Sequence, residues 1–321
     1  MEIPSAVKEK MTSLHIEKHP KSICIANYKG GVGKTTITTL LGYYLANKGY
    51  KVLLLDIDPQ CSLSLAVGFE IEKVSKTDNT IYHLVTPNKW HKATKVKYQE
   101  YINAIPDIYA PKSLKIIKGA FDVDQLDIEI IREIVNNEST EYMLYNYCKN
   151  MLNEYDDFDY ILVDCPPNKM YLTQAMLRAC SYYMSVTIPD KISVYGMPRL
   201  MTWVNQIPSN EKPYLLGCVL NTVNRLGGHE FGTTNQKNAE QELVNTIGGK
   251  LNIKEKSVIG GKPILAHIPR LDVISRFLSQ GAIKIAWFDL NDRASEQRTV
   301  SDLMMTLVKS IENRIAQYAK I

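Results

Sequence analysis

Lys29-Gly30-Gly31-Val32-Gly33-Lys34-Thr35-Thr36 sets three glycines between two lysines and closes on two threonines. A short apolar run, Ser22-Ile23-Cys24-Ile25-Ala26-Asn27, precedes it, and Ile37, Leu40, Leu41, Tyr44 and Leu45 follow on one helical stripe. Strand, glycine loop and helix in that order make a phosphate cradle. Gly30, Gly31 and Gly33 let successive backbone N–H groups converge on anionic oxygens, and the helix N-terminus adds partial positive charge. Lys34 is placed to reach the β- and γ-phosphates of a nucleotide, and the Thr35 hydroxyl suits Mg²⁺. Val32 and Thr36 complete the cradle.

Two further segments supply acids. Lys51-Val-Leu-Leu-Leu-Asp56-Ile-Asp58-Pro59-Gln60 is an apolar run ending in carboxylates and a turn, and Phe158-Asp-Tyr-Ile-Leu-Val-Asp164-Cys-Pro-Pro167 repeats the design. A parallel strand buried on both faces reads as a continuous apolar run. Its functional acids belong at the carboxyl end, beside the ligand crevice.

Lys29 at the loop entrance, followed by the compact glycine loop and Lys34, resembles the deviant Walker A loop of the ParA/MinD family of dimerising ATPases. Asp56-Ile-Asp58-Pro59-Gln60 with Ser62-Leu63-Ser64 resembles the ParA branch. Asn103-Ala-Ile-Pro106, Thr187-Ile-Pro189-Asp190, Leu220-Asn221 and Ile268-Pro269-Arg270 resemble later family segments in the same order, so the likeness covers roughly residues 21 to 290. It implies an α/β, three-layer P-loop NTPase fold with a mostly parallel central sheet flanked by helices. It implies ATP and Mg²⁺ as cofactors, Lys29 acting in trans on the phosphates of a partner subunit, and Lys34 acting in cis. Asp58 becomes the acid that orients the attacking water, and Thr35, Asp58 and Asp164 become the metal site, the acids acting through water. Asn221 and Pro269 become neighbours of the adenine. Cys61 and Ser62 depart from the residues common in relatives, and the segments 98–155 and 224–240 are longer than the minimal fold needs.

Length and composition agree with a large enzyme of one large α/β domain or two smaller ones, and the resemblance implies a single ATPase domain over 1–321, with an N-terminal extension at 1–20 and a C-terminal packing helix at about 299–321. The chain has 321 residues, enough to bury a substantial core. Its six cysteines show no paired short spacing. That argues against a disulfide framework and against a metal carrier or reductase built on the same nucleotide engine. Met1 to Lys21 lacks the apolar segment of a signal peptide, which leaves a cytoplasmic protein as the expectation. The predicted elements are strands at 22–27, 51–56, 159–164, 181–187, 214–221 and 264–267. Predicted helices lie at 35–48, 126–153 with a break at 136–140, 172–179, 193–206, 236–247 and 272–280. Gly248-Gly249 is expected to end its helix and Gly260-Gly261 to form a turn.

Charge is nearly balanced, with Lys+Arg 38 against Asp+Glu 34 and a formal net charge of +4. The C-terminal third nevertheless carries many cations, and ParA relatives bind DNA without sequence preference through such residues. The resemblance therefore implies an ATP-dependent homodimer that holds nonspecific duplex DNA, associates with the nucleoid and works with a ParB-like centromere-binding protein in plasmid or chromosome segregation. Lys254, Lys256, Arg276 and Lys284 are the candidate DNA contacts. The alternative is a MinD-like ATPase that positions cargo at a membrane. Against it, the tail has an apolar stripe of Val300, Leu303, Met304, Leu307, Val308, Ile311, Ile315 and Tyr318. Its opposite face mixes Asp302, Lys309, Glu312 and Arg314. That pattern suits a helix packed on the domain better than a basic membrane-entering segment.

Overall fold

The computed structural model describes residues 19–70, 79–91, 96–106, 110–137, 139–224, 232–270 and 295–321. The helix expected at 272–280, the candidates Arg276 and Lys284, and nearly all of the extension at 1–20 lie outside the described residues.

Among the described residues, eight strands form one sheet: β1 (Lys21–Ile25), β2 (Val52–Asp56), β3 (Asn103–Ala104), β4 (Leu114–Ile117), β5 (Tyr160–Asp164), β6 (Tyr182–Thr187), β7 (Tyr214–Val223) and β8 (Ile264–Pro269), in the order β3-β4-β2-β5-β1-β6-β7-β8. All neighbours are parallel except the edge pair β3 and β4. The register sets Ile25 opposite Asp164 and Asp56 opposite Asp164. The glycine loop and both acid-bearing strand ends therefore open on the same edge of the sheet. The chain leaves β1 for β2 on one side and passes from β5 to β6 on the other, which makes β1 the switch point where such sheets hold ligands.

The helices are α1 (Lys34–Asn47), α2 (Ser62–Ala66), α3 (Ile81–Val85), α4 (Pro87–His91), α5 (Val123–Asn136), α6 (Thr140–Asn153), α7 (Tyr171–Ala179), α8 (Gly196–Val204), α9 (Thr234–Lys250), α10 (Ile253–Ile259) and α11 (Ser295–Tyr318). Alternation along the strands sends side chains to opposite faces. Leu54, Leu162, Ile23 and Ile25 join the apolar residues of α1 and α11, while Leu53, Leu55, Ile161 and Val163 join those of α5 to α9. Both faces are thus covered, which is why these strands read as unbroken apolar runs.

Three expectations need correction. Gly248 and Gly249 do not end a helix: α9 runs to Lys250. A Cβ at either glycine would meet nothing within 4 Å, so no left-handed turn or close approach is built there. The helix is fixed at its other end by a capping box of Thr233 and Gln236. The segment 193–206 begins as a 3₁₀ turn at Ser193–Tyr195 before α8. Arg314 is not on an open face. Only 9% exposed, it donates to the carbonyl oxygens of Leu216 on β7 and of Lys262.

The tail is welded to the sheet. Met304, Leu307, Val308, Ile311, Ile315 and Tyr318 are buried. The Tyr318 hydroxyl donates to the Leu215 carbonyl at 2.7 Å, and its ring stacks on Tyr214 with centroids 4.7 Å apart. Glu312 accepts from Tyr50 at 2.8 Å and from Lys48. Arg314→Ala would strand the buried Leu216 carbonyl, remove the partner of the part-buried Lys262 carbonyl and lose the packing of the side-chain stem. The expected cost is about 3 kcal/mol, read as a lowered urea midpoint. The exposed Lys309→Ala should shift stability by less than about 0.5 kcal/mol; an equal effect of the two would contradict the clamp. Among the described residues, no helix is long and apolar enough to cross a membrane.

Candidate nucleotide site

The glycine loop leaves the end of β1 and turns into α1 at Gly33, whose φ of 94° is left-handed. Only glycine fits there. A Cβ would also lie 2.2 Å from the Asn221 amide nitrogen, which donates to the Val32 carbonyl at 2.9 Å. Asn221, read from sequence as a base neighbour, is thus placed at the back of the loop, where it holds the loop backbone. Pro269 ends β8, where it pairs with Val223 of β7.

Lys34 is 7% exposed, and its ammonium donates to the Lys29 carbonyl at 3.2 Å. Burial lowers its pKa, while the nearby carboxylates of Asp164 and Asp58 act to restore it. An ammonium so poorly solvated gains strongly from an anionic ligand. Thr35 Oγ1 donates to Asp164 Oδ2 at 2.7 Å, and the Thr38 hydroxyl lies 3.1 Å from Asp164 Oδ1. Asp164 is fully buried; burial pushes its pKa up to about 6, against the hydrogen bonds of Thr35 and Thr38 and the charge of Lys34. A hydroxyl and a carboxylate in contact are hard oxygen donors and suit Mg²⁺.

Asp58 is 8% exposed and accepts from the Gln60 N–H at 2.9 Å. Asp56, two residues earlier, has a different environment. Its Oδ2 accepts from the Ser64 N–H at 2.8 Å and the Ser64 hydroxyl at 2.7 Å, and Oδ1 accepts from the Asp58 N–H at 3.3 Å. Burial, with the Asp164 charge second, pushes its pKa up to about 7. Asp56 therefore ties the loop carrying Asp58 to α2, and Ser64 is fixed in turn by the Gly119 N–H at 2.9 Å.

A cavity of about 620 Å³ lies over this edge, lined by Gly30, Gly31, Gly33, Lys34, Thr35 and Thr36 of the loop, by Asp58, Gln60, Ser62, Leu65 and Ala66, and by Pro167. The fold thus brings Lys34, Thr35, Asp58 and Asp164 to one place. Lys29 is exposed at the loop entrance. Lys254 and Lys256 are exposed on α10, where the Lys254 ammonium lies 3.3 Å from the Tyr214 hydroxyl. Sequence reasoning missed Thr38 and Ser64. Thr38 was legible, one helical turn beyond Thr35; Ser64 depends on the turn after β2. All six cysteines are buried and free, and no cluster of metal-binding side chains of the His, Cys, Asp and Glu type occurs among the described residues.

A family model described as an AAA domain matches residues 20–216. The chromosome partitioning protein ParA of Myxococcus xanthus is 32% identical over 185 residues, 56% of this chain and 54% of that protein. An uncharacterized protein of Methanocaldococcus jannaschii, MJECL24, is 28% identical over 277 residues, 85% of this chain and 93% of that one. Against several other curated relatives the match spans only about half of their length or less. Among solved structures, a variant of McdA from Cyanothece in complex with ATP has a TM-score of 0.69 at 18% identity, covering 92% of this chain and 97% of that one. The septum site-determining protein MinD of Pyrococcus horikoshii, complexed with Mg-ADP, has a TM-score of 0.61 at 20% identity, covering 94% and 100%. By the match over 20–216 the chain belongs to this AAA domain family, and with its glycine loop and mostly parallel sheet it is a P-loop ATPase of the ParA/MinD type.

Proposed function

We propose that the protein is a Mg²⁺-dependent ATPase that closes into a homodimer on ATP, holds duplex DNA without sequence choice in that state, and segregates DNA with a centromere-binding partner. The carrying observation is the division of labour between two lysines of one loop. Lys34 is buried in its own cavity, whereas Lys29 is left exposed at the rim. A cation that its own site leaves at the surface is placed to enter the site of a second copy. There it stabilises charge moving in γ-phosphoryl transfer.

Within one subunit the geometry supports the following roles. Loop N–H groups and Lys34 hold the phosphates. Thr35 and Asp164 would hold Mg²⁺, which when bound neutralises charge on the β- and γ-oxygens. Asp58, which lines the cavity, orients the attacking water. The membrane-positioning alternative would have to free a C-terminal helix that Arg314 and Tyr318 pin to β7, so DNA is the better-supported surface.

The test is fluorescence anisotropy with unrelated duplexes, with and without a slowly hydrolysed ATP analogue, between 50 and 200 mM salt at about neutral pH. Binding should require the nucleotide and vary little with sequence. A dimer that sets two copies of Lys254 and Lys256 on phosphates should show a log–log salt slope near about −3.6. The double Lys254→Ala, Lys256→Ala variant should flatten that slope while sparing dimerisation. Equal affinity with and without nucleotide would reject the switch. Vesicle binding without DNA binding would favour the membrane reading.

A further inference from the structure

Lys29 can act on a partner's phosphates only if its backbone is held at a fixed height above the loop. Two side chains hold it. The Lys34 ammonium donates to the Lys29 carbonyl at 3.2 Å, but that tether is exchanged when Lys34 turns to bound phosphates. The other is Asn27. Its Oδ1 accepts from the Lys29 N–H at 3.0 Å, and its Nδ2 donates to the Val186 carbonyl on β6 at 2.8 Å. Asn27 is 1% exposed and stands outside the lining of the nucleotide cavity, so nothing in nucleotide binding asks it to let go. One amide thus ties the lysine's peptide to the neighbouring strand.

The surroundings are shaped to this amide. Gly196 opens α8 directly beneath it, and a Cβ there would lie 2.0 Å from Asn27 Oδ1. Just upstream, Thr187 Oγ1 donates to the Ser193 carbonyl at 2.9 Å, and the Ser193 hydroxyl donates to Asp190 Oδ2 at 2.6 Å. These bonds brace the segment that follows β6. Burial would raise the Asp190 carboxyl, but hydrogen bonds from Ser193 and Ile192 and the charge of Lys29 hold it below its usual range.

We infer that Asn27 is the positioning residue for Lys29, setting the point from which that lysine reaches across the dimer and thereby the rate of ATP hydrolysis. The inference rests on the trans role proposed for Lys29. Asn27 does not line the nucleotide cavity; it acts through the lysine. Misplacing a catalytic group by about 1 Å costs on the order of 100-fold in rate, so the loss should fall on turnover and spare nucleotide affinity.

The experiment is a double-mutant cycle on the full chain. It reads single-turnover ATP hydrolysis together with the Kd of a fluorescent ATP analogue, which also reports whether each variant is folded. Asn27→Ala should bind nucleotide within about threefold of wild type and hydrolyse roughly 10- to 100-fold more slowly. Gly196→Ala, which displaces the Asn27 amide from below without touching the loop, should move hydrolysis in the same direction. In a Lys29→Ala background, Asn27→Ala should add less than about twofold, since the group it positions is gone. Hydrolysis by Asn27→Ala at the wild-type rate, or its full loss repeated on top of Lys29→Ala, would overturn the inference. Wild-type hydrolysis by Lys29→Ala would instead overturn the reading of Lys29 on which it rests.

Discussion

Lys29→Ala is expected to retain ATP binding and to lose hydrolysis by about 1,000-fold. Binding survives because the cradle that faces the cavity is built by Gly30 to Thr36, with Lys34 as its buried cation. Hydrolysis should fail because, on the trans reading proposed above, the exposed Lys29 supplies charge to a second subunit's site. A cation delivered in trans to a transferring phosphoryl group is worth roughly 10³ to 10⁵ in rate, and the lower end suits an ammonium, which cannot fork between two oxygens as a guanidinium does. Single-turnover hydrolysis with radiolabelled ATP measures the loss, and equilibrium binding checks the retained affinity. A parallel collapse of affinity would place Lys29 in its own subunit's cradle instead. In a mixture of Lys29→Ala chains with Asp58→Ala chains, a heterodimer has one site with both its own Asp58 and the partner's Lys29. That mixture should recover part of the activity that each variant lacks alone.

Asp58→Ala is expected to lower hydrolysis by roughly 100- to 1,000-fold while leaving ATP bound. Asp58 lines the cavity at 8% exposure, and one of its carboxylate oxygens, Oδ1, accepts from the Gln60 N–H of its own turn. The other carboxylate oxygen remains for a water. Asp56 offers the contrast: each of its oxygens accepts a hydrogen bond from its own chain, two of them from Ser64, and it holds the loop in shape. Asp58→Ala should therefore trap the ATP form, whereas Asp56→Ala should loosen the loop and lower stability. Single-turnover hydrolysis by Asp58→Ala at the wild-type rate would remove it from the role.

The parts of this architecture that were legible in sequence are those where local pattern and tertiary position coincide. Ser22 to Thr36 reads as strand, glycine loop and helix because each piece needs its own residue type. The runs ending in Asp56 and Asp164 read as buried parallel strands because helices cover both faces. What stayed hidden depends on approach between distant segments. Asn221 sits at a strand end in sequence, and that its Nδ2 donates to the Val32 carbonyl, 189 residues away, could not be read there. Arg314 reads as part of a polar face, but α11 is covered broadly enough that the flank of its stripe also meets β7. β4 was missed because Leu114-Lys115-Ile116-Ile117 is four residues long and interrupted by a lysine. α10 spans only seven residues between glycine pairs, although its Asn252 and Glu255 capping box was readable.

The central claim is that ATP makes two copies of this chain share their sites, and sedimentation velocity tests it most directly. Wild-type protein at micromolar concentration should sediment as a monomer without nucleotide. It should shift to a dimer with Mg²⁺ and a slowly hydrolysed ATP analogue, and return to monomer with ADP. A species that stays monomeric at high micromolar concentration, with nucleotide shown to be bound, would contradict the account.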